Sequence, residues 1–122
     1  MIQTEIKATA LELTPAIRAY VEEKILSIDK FVNSSTGGAL ADVEVAKTTD
    51  HHHSGEIFKA EINLQVSGNF YRASSVQADL YAAIDEMKDE IIRQITARQA
   101  KKTTLFRKGA RRLKGLLRGW GR

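Results

Sequence analysis

Basic side chains are concentrated at one end of this 122-residue sequence. Residues 101–122 hold nine lysines and arginines and no acidic residue, so 10 basic residues and all 15 acidic residues remain in 1–100, for a net charge of −5 there. Cations without nearby counter-charges attract polyanions, which are nucleic acids or anionic membranes. The basic residues of this segment are Lys101, Lys102, Arg107, Lys108, Arg111, Arg112, Lys114, Arg118 and Arg122.

Six further cations lie outside the main apolar stripes of two predicted helices. Such residues keep most helices soluble, and they can also form a shared surface for the phosphates of RNA. The composition leaves both interpretations open. The six are Arg18, Lys24 and Lys30 in the first helix and Lys88, Arg93 and Arg98 in the second.

Three consecutive histidines, His51 to His53, are the residues most suggestive of a metal site. Neighbouring side chains in an extended segment point to opposite sides, and the spacing to Asp50 and Glu56 matches no familiar ligand pattern. We therefore expect a polar loop here, with neither a metal nor another cofactor.

Residues that often act in catalysis are present without the surroundings that catalysis needs. Four carboxylates of the second helix occupy exposed positions, where they are ordinary solvated charges rather than general acids in an apolar pocket. The serines lack a nucleophile-elbow context, and no glycine loop of the kind that cradles phosphates is found. We expect a binding protein rather than an enzyme, with no small-molecule substrate. The carboxylates are Asp85, Glu86, Asp89 and Glu90.

Strands are predicted where apolar and polar residues alternate, because only one face of such a segment is buried. Gly68-Asn69 makes a tight turn between the last two strands, which are therefore a hairpin. The four predicted strands span residues 2–8, 39–48, 56–67 and 70–76.

Two helices are predicted by apolar residues that recur every three or four positions. The first covers residues 15–32 after the cap Thr14-Pro15, and the second covers residues 78–100. The order β-α-β-β-β-α predicts an α+β fold, a four-stranded and largely antiparallel sheet with both helices packed on one face. Tyr81, at the start of the second helix, is expected to be a core residue.

The chain is long enough for one domain with an appendage, and we expect a domain at residues 1–100 and a basic tail at 101–122. The tail could form an amphipathic helix, but four glycines weaken it, so we expect it to be disordered alone and helical on a partner. Its apolar stripe would consist of Phe106, Ala110, Leu113, Leu117 and Trp120.

The compartment is predicted from what the sequence lacks. It has no cysteine, no secretory signal and no run of roughly 20 apolar residues that could span a membrane. These features fit a cytoplasmic protein.

Three segments resemble the ribosome hibernation promoting factor family, also called the ribosome-associated inhibitor family. They are LTPAIRAYVEEKI at 13–25, GEIFKAEINLQVSG at 55–68 and, most distinctively, ADLYAAIDEMKDEIIRQI at 78–95. The resemblance covers residues 1 to about 102. It implies the order of elements given above, which is similar to a double-stranded RNA-binding domain with an extra leading strand.

The resemblance implies a steric inhibitor of translation. Family members bind the small ribosomal subunit between head and body, where messenger RNA and transfer RNA would sit, and idle ribosomes are thereby stored. Two alternatives remain: a binding module for other structured RNA, and a membrane-surface protein acting through the cationic tail with Trp120 as its anchor. The leading interpretation predicts a ribosome-associated protein without a membrane partner.

The resemblance also implies which residues contact ribosomal RNA. The positions that match the family's are Lys24, Lys30, Arg93 and Lys101, with Arg18 and Arg98 as neighbours and Lys59 and Arg72 on the hairpin. Lysines that family members often carry are replaced here by Ser27, Glu90 and Ala97, so the domain's basic face is thinner than usual and we expect the tail to supply phosphate contacts. The complete set of predicted RNA-binding residues is Arg18, Lys24, Lys30, Lys59, Arg72, Lys88, Arg93, Arg98, Lys101, Lys102, Arg107, Lys108, Arg111 and Arg112.

Overall fold

A computed structural model describes residues 2–32, 38–48 and 55–120, with side chains up to residue 111. The predicted loops at 33–38 and 48–55 lie largely outside these ranges, and His51 to His53 lie wholly outside them. The element order is the predicted β-α-β-β-β-α. The elements are β1 (Ile2–Thr9), α1 (Pro15–Asp29), β2 (Ala39–Thr48), β3 (Ile57–Val66), β4 (Asn69–Gln77) and α2 (Leu80–Trp120).

The four strands form one sheet in the order β1-β2-β3-β4. β1 runs parallel to β2, because α1 crosses between them, and the other two pairs are antiparallel. Ile6, Val43, Ile62 and Ala73 lie side by side in a row across the sheet.

The core lies between one face of the sheet and both helices, so the predicted α+β fold is confirmed. Alternate strand residues such as Val43, Ile62 and Leu64 are buried, while their neighbours along the strands are exposed or half-buried. The predicted stripes of the helices complete the same apolar cluster. From α1 these are Val21, Ile25 and Ile28, and from α2 they are Leu80, Ile84, Met87, Ile91 and Ile95.

The cap predicted for α1 is present, but the helix ends earlier than predicted. The Thr14 hydroxyl accepts a hydrogen bond from the Ile17 amide at 3.2 Å, and Pro15 opens the helix. At the other end the Phe31 amide bonds the Ile28 carbonyl at 2.9 Å, a tighter i to i−3 turn that stops the helix. Val32 lies beyond the helix and is still buried.

The hairpin between β3 and β4 is confirmed, with its turn one residue earlier than predicted. Ser67 and Gly68 have φ values of 48° and 80°, and Val66 pairs with Asn69 across the turn. Two positive φ values in a two-residue loop suit the twist of the flanking strands.

α2 continues well beyond the predicted end at residue 100 and is described as far as Trp120. Its 41 residues correspond to a length of about 60 Å. The side chains of residues 101–111 are all exposed, so this part of the helix extends away from the core. The division into a domain and a tail that orders on a partner stays a prediction. Within the described ranges, no helix has the length and apolarity that crossing a membrane requires.

Candidate nucleic-acid interface

The described structure divides the predicted RNA-binding residues into two groups. One group forms ion pairs with carboxylates of the domain. The other group has no acidic partner within the described part of the chain.

Lys24 is held at the contact between α1 and α2 and is only partly exposed. Its Nζ lies 3.3 Å from Asp85 Oδ1 and 4.7 Å from the centre of the Tyr20 ring. The Tyr20 hydroxyl donates to the same Asp85 oxygen at 2.6 Å. Lys24 is therefore already neutralised and partly desolvated before any RNA approaches.

The pKa values of this cluster follow from its geometry. Burial by itself raises the pKa of Asp85, but the hydrogen bonds from Tyr20 and Lys24 outweigh it and hold this pKa below its usual value. Burial by itself lowers the pKa of Lys24, and Asp85 more than compensates, so that pKa is raised. The hydrogen bond to Asp85 also raises the pKa of Tyr20. Asp85 is thus a structural partner, and the expectation that it is an ordinary solvated charge is wrong.

Tyr81 completes this cluster from α2. Its ring meets the Tyr20 ring edge to face, with centroids 4.8 Å apart and planes at 83°. The side chain is 38% exposed, so the expectation of a core position is wrong. The reason is that Tyr81 follows Leu80, which takes the core position itself.

Lys59 and Arg72 lie on the opposite side of the sheet from the helices. Their side chains alternate with buried residues of β3 and β4, and both contact Glu61, at 3.2 Å and 2.6 Å. Burial raises the pKa of Glu61, but Lys59 and Arg72 outweigh it, so this pKa is lowered. The structure does not bring Lys59 and Arg72 together with the basic residues of α1 and α2.

The proximal part of α2, defined as residues 80–97, carries more acids than bases. Lys88 contacts Asp89 at 2.8 Å, and two nitrogens of Arg93 contact the same oxygen of Glu90 at 2.7 Å and 3.1 Å. The hydrogen bond to Glu90 raises the pKa of Arg93. Both cations are therefore already paired with carboxylates of their own helix.

The distal part of α2, defined as residues 98–120, carries no acidic residue at all. Arg98, Lys101 and Lys102 are exposed and lie on adjacent faces of the helix, because they are three and four positions apart. Arg107, Lys108 and Arg111 continue the cationic surface, and Leu105 and Phe106 are exposed among them. The side chain of Arg112 lies outside the described part.

On α1, Arg18 and Lys30 belong to the second group. Both are exposed, and neither has an acidic partner among the residues that the structure describes. Among the described side chains, the cations without an acidic partner are thus Arg18 and Lys30 on α1 and those of α2 between residues 98 and 111.

Sequence reasoning missed the aromatic residues beside the distal part of α2. The Arg98 guanidinium lies 5.8 Å from the centre of the Tyr71 ring, and Phe70 is 71% exposed at the start of β4. Gln94 fixes this arrangement by donating to the Arg72 carbonyl at 2.8 Å. The aromatic pair after the hairpin turn is the available signal in the sequence, although the alternation there predicts only a strand.

Metal chemistry finds no support within the described ranges. No group of three or more potential ligands converges there. The histidines at 51–53 lie outside those ranges, so the expectation of a polar loop stays a prediction.

Comparison with known proteins decides the family. The family model described as Sigma 54 modulation protein / S30EA ribosomal protein matches residues 4–103. The chain belongs to this family. The resemblance inferred from the sequence is thereby confirmed, and the matched stretch ends just as the distal part of α2 leaves the domain.

Relatives in the S30EA family are similar across most of the chain. A protein named ribosome hibernation promotion factor from Staphylococcus aureus is 36% identical over 95 residues, which is 78% of this chain and 47% of that protein. Its counterpart from Deinococcus radiodurans is 33% identical over 92 residues, covering 75% and 46%. The chain spans about half the length of these curated relatives.

Solved structures are similar to this chain over the same region. The N-terminal domain of Protein Y from Thermus thermophilus matches with a TM-score of 0.63 at 31% identity, covering 76% of this chain and 94% of that one. A ribosomal subunit interface protein from Coxiella burnetii matches with a TM-score of 0.60 at 14% identity, covering 82% and 99%, and supports the fold alone. The likeness to a double-stranded RNA-binding domain stays a prediction.

Proposed function

We propose that this chain binds the small ribosomal subunit in the channel for messenger RNA and transfer RNA, and that it inhibits translation by occupying that channel. The observation that carries the proposal is the S30EA match over residues 4–103, together with relatives named for promoting ribosome hibernation. The protein would act by occupancy and would catalyse no reaction.

The distribution of charge supports a contact with RNA that is led by the distal part of α2. Phosphate contacts dominate the affinity of proteins for nucleic acids. The described cations of distal α2 have no carboxylate partner among the described residues, so they can contact phosphate directly. Arg18 and Lys30 on α1 can do the same. Lys24 and Arg93 must first exchange Asp85 and Glu90 for phosphate, so we assign them a smaller share.

The domain supplies shape rather than strong attraction. Residues 1–100 have a net charge of −5, so long-range electrostatics would not draw this part toward RNA. A rigid sheet covered by two helices can still block a channel once it is held there. The exposed cationic part of α2 would provide that hold.

Sedimentation with purified subunits tests the target. The full chain is expected to pellet with small subunits and to leave large subunits and protein-free ribosomal RNA largely unbound at matched salt. Equal retention on all three would replace the proposal with general RNA binding.

A competition assay tests the position on the subunit. Small subunits loaded beforehand with messenger RNA and transfer RNA are expected to bind the protein much more weakly than empty subunits. Unchanged binding would show that the channel is not the site, even if the small subunit remains the partner.

Variants of matched charge test the surface. Lys101→Glu is expected to weaken subunit binding strongly, because a phosphate contact becomes a repulsion. Lys7→Glu is the control, since Lys7 is equally cationic, is 77% exposed, and lies on β1 away from α2. Equal losses of affinity from both changes would indicate only a general charge effect.

A further inference from the structure

A groove separates the start of β4 from the distal part of α2. Phe70 and Tyr71 border it on the strand side, and Arg98, Lys101 and Lys102 border it on the helix side. Its volume is about 690 Å³. This lies within the range of about 300–1,000 Å³ that is typical of sites for small organic groups.

Tyr71 and Arg98 form a prepared platform in this groove. The Tyr71 ring is half-buried against the core, which fixes its position, and the Arg98 guanidinium lies 5.8 Å from its centre. The bond from Gln94 to the Arg72 carbonyl joins helix and strand at the same level. Both planar groups are of the kind on which nucleic-acid bases stack.

A second hollow of about 400 Å³ lies on the turn side of the same platform. Tyr71, Arg98 and Lys102 border both hollows, so the platform stands between them. Ser67, Asn69 and Gln99 add polar groups to the second hollow. No aspartate or glutamate of the described chain lines either one, which suits a negatively charged occupant.

Phe70 adds a second aromatic surface at the rim. It is 71% exposed, although removing a phenylalanine side chain from water is favourable. Aromatic side chains beside a row of cations are the usual means of holding single-stranded nucleic acid, since bases stack on the rings while cations follow the backbone. A duplex offers no free base face to such a site.

We propose that this groove binds an unpaired segment of RNA, with bases stacked on Tyr71, Arg98 and Phe70 and phosphates held by Lys101 and Lys102. The inference deepens the proposed function, and it rests on that function only in taking the RNA to be ribosomal. It assigns the recognition of unpaired nucleotides to a site at which the hairpin and the helix meet.

Fluorescence anisotropy with a labelled single-stranded oligouridine and with an RNA duplex of the same length tests the proposal on the full chain. Phe70→Ala and Tyr71→Leu are each expected to weaken single-strand binding about tenfold, because a base can no longer stack on the ring. Duplex binding, which depends on phosphate contacts, is expected to change far less. Tyr71→Leu retains an apolar side chain against the core, and thermal melting verifies that each variant is folded.

Matched controls separate stacking from general effects. Leu26→Ala removes a side chain that is 64% exposed on α1, and it is expected to leave single-strand binding unchanged. Phe70→Trp is expected to retain or strengthen single-strand binding, because the aromatic surface is kept. Wild-type affinity in both Phe70→Ala and Tyr71→Leu would overturn the proposal, as would equal weakening of single-strand and duplex binding.

The same variants keep this proposal distinct from the proposed function. If single-strand binding depends on Tyr71 and Phe70 while the protein fails to sediment with small subunits, the groove stands and the ribosomal role fails. If the protein sediments with small subunits and both substitutions leave oligonucleotide and subunit binding unchanged, the groove fails and the ribosomal role stands.

Discussion

The two parts of α2 hold their cations in different electrostatic settings. In the proximal part Lys88 and Arg93 contact acidic residues of the same helix, and Asp85 holds Lys24 of α1. In the distal part Arg98, Lys101 and Lys102 have no acidic partner among the described residues, and Arg98 lies against a tyrosine ring instead. One helix thus stabilises the domain at one end and presents free charge at the other.

The difference shows that a basic residue is not automatically an RNA contact. An ion pair at a surface contributes little to stability, yet a phosphate must still replace the carboxylate that is already present. A lysine or arginine without a carboxylate partner has no such pair to break, and its binding to phosphate simply releases counterions. We therefore expect binding to depend on the distal part and folding to depend on the proximal part.

Deleting residues 101–122 should have the largest effect of any change considered. The slope of the logarithm of the binding constant for small subunits against the logarithm of salt concentration is expected to fall by several units, at about 0.7–0.9 for each phosphate that the tail no longer neutralises. Titrations across a range of salt concentrations measure it. Thermal stability should be unaffected, because residues 101–111 are exposed. An unchanged slope would contradict the role given to the distal part.

Acid should weaken the domain through two paired carboxylates, Asp85 and Glu61. The pKa values of Asp85 and Glu61 are lowered in the fold, so the stability they contribute is present above their unfolded pKa values and is lost as pH falls through the folded ones. The free energy of unfolding, measured with denaturant, should therefore fall from about pH 5 toward pH 3. The double variant Asp85→Asn, Glu61→Gln should show a flatter dependence, and an identical curve would contradict this explanation.

Asp85→Asn should show a smaller effect, because only one carboxylate is removed. The free energy of unfolding is expected to fall by about 1 kcal/mol, since Tyr20 and Lys24 lose a charged acceptor that is itself partly exposed. Small-subunit binding should be unchanged or tighter, because a negative charge is removed. Asp89→Asn is the control, because this carboxylate is exposed and its ion-pair partner among the described residues is Lys88. Weaker binding in Asp85→Asn would show that this cluster positions the RNA contacts.

The smallest effect is expected from neutralising the proximal arginine. Arg93→Gln should reduce small-subunit affinity less than Arg98→Gln does, because Arg93 already contacts Glu90 whereas Arg98 has no carboxylate partner in the described chain. Titrations of the two variants side by side measure the difference. If Arg93→Gln proves the more damaging, the phosphate contacts extend into the proximal part.

Much of the fold could be predicted because the residues that are buried recur at regular spacings along the sequence. The alternation through Val43 and Ile62 and the helical spacing through Ile84 and Ile91 each correspond to residues that are buried in the structure. The residues at which helices and strands end were harder to predict. Ile28 and Val32 are both apolar and both buried, and it is the backbone hydrogen bonds from Phe31 to Ile28 and from Val32 to Asp29 that show that the helix has stopped between them.

The candidate site was less predictable, because its electrostatics depend on residues far apart in the sequence. Lys24 and Asp85 are 61 positions apart, and Tyr71 and Arg98 are 27 apart, so no local pattern predicts either contact. Lys59 and Arg72 were predicted alongside the helix cations. Their strand positions place them on the opposite side of the sheet.

The sequence by itself determined the order of elements, the composition of the core, and the separation of an acidic domain from a basic end. These properties depend on which residue types follow one another along the chain, and hydrophobic burial acts on that order directly. Only the tertiary structure decided which cations are free. Whether a lysine meets a carboxylate, a tyrosine or water depends on which helix and strand surfaces pack together, and that packing assembles the groove between β4 and the distal part of α2.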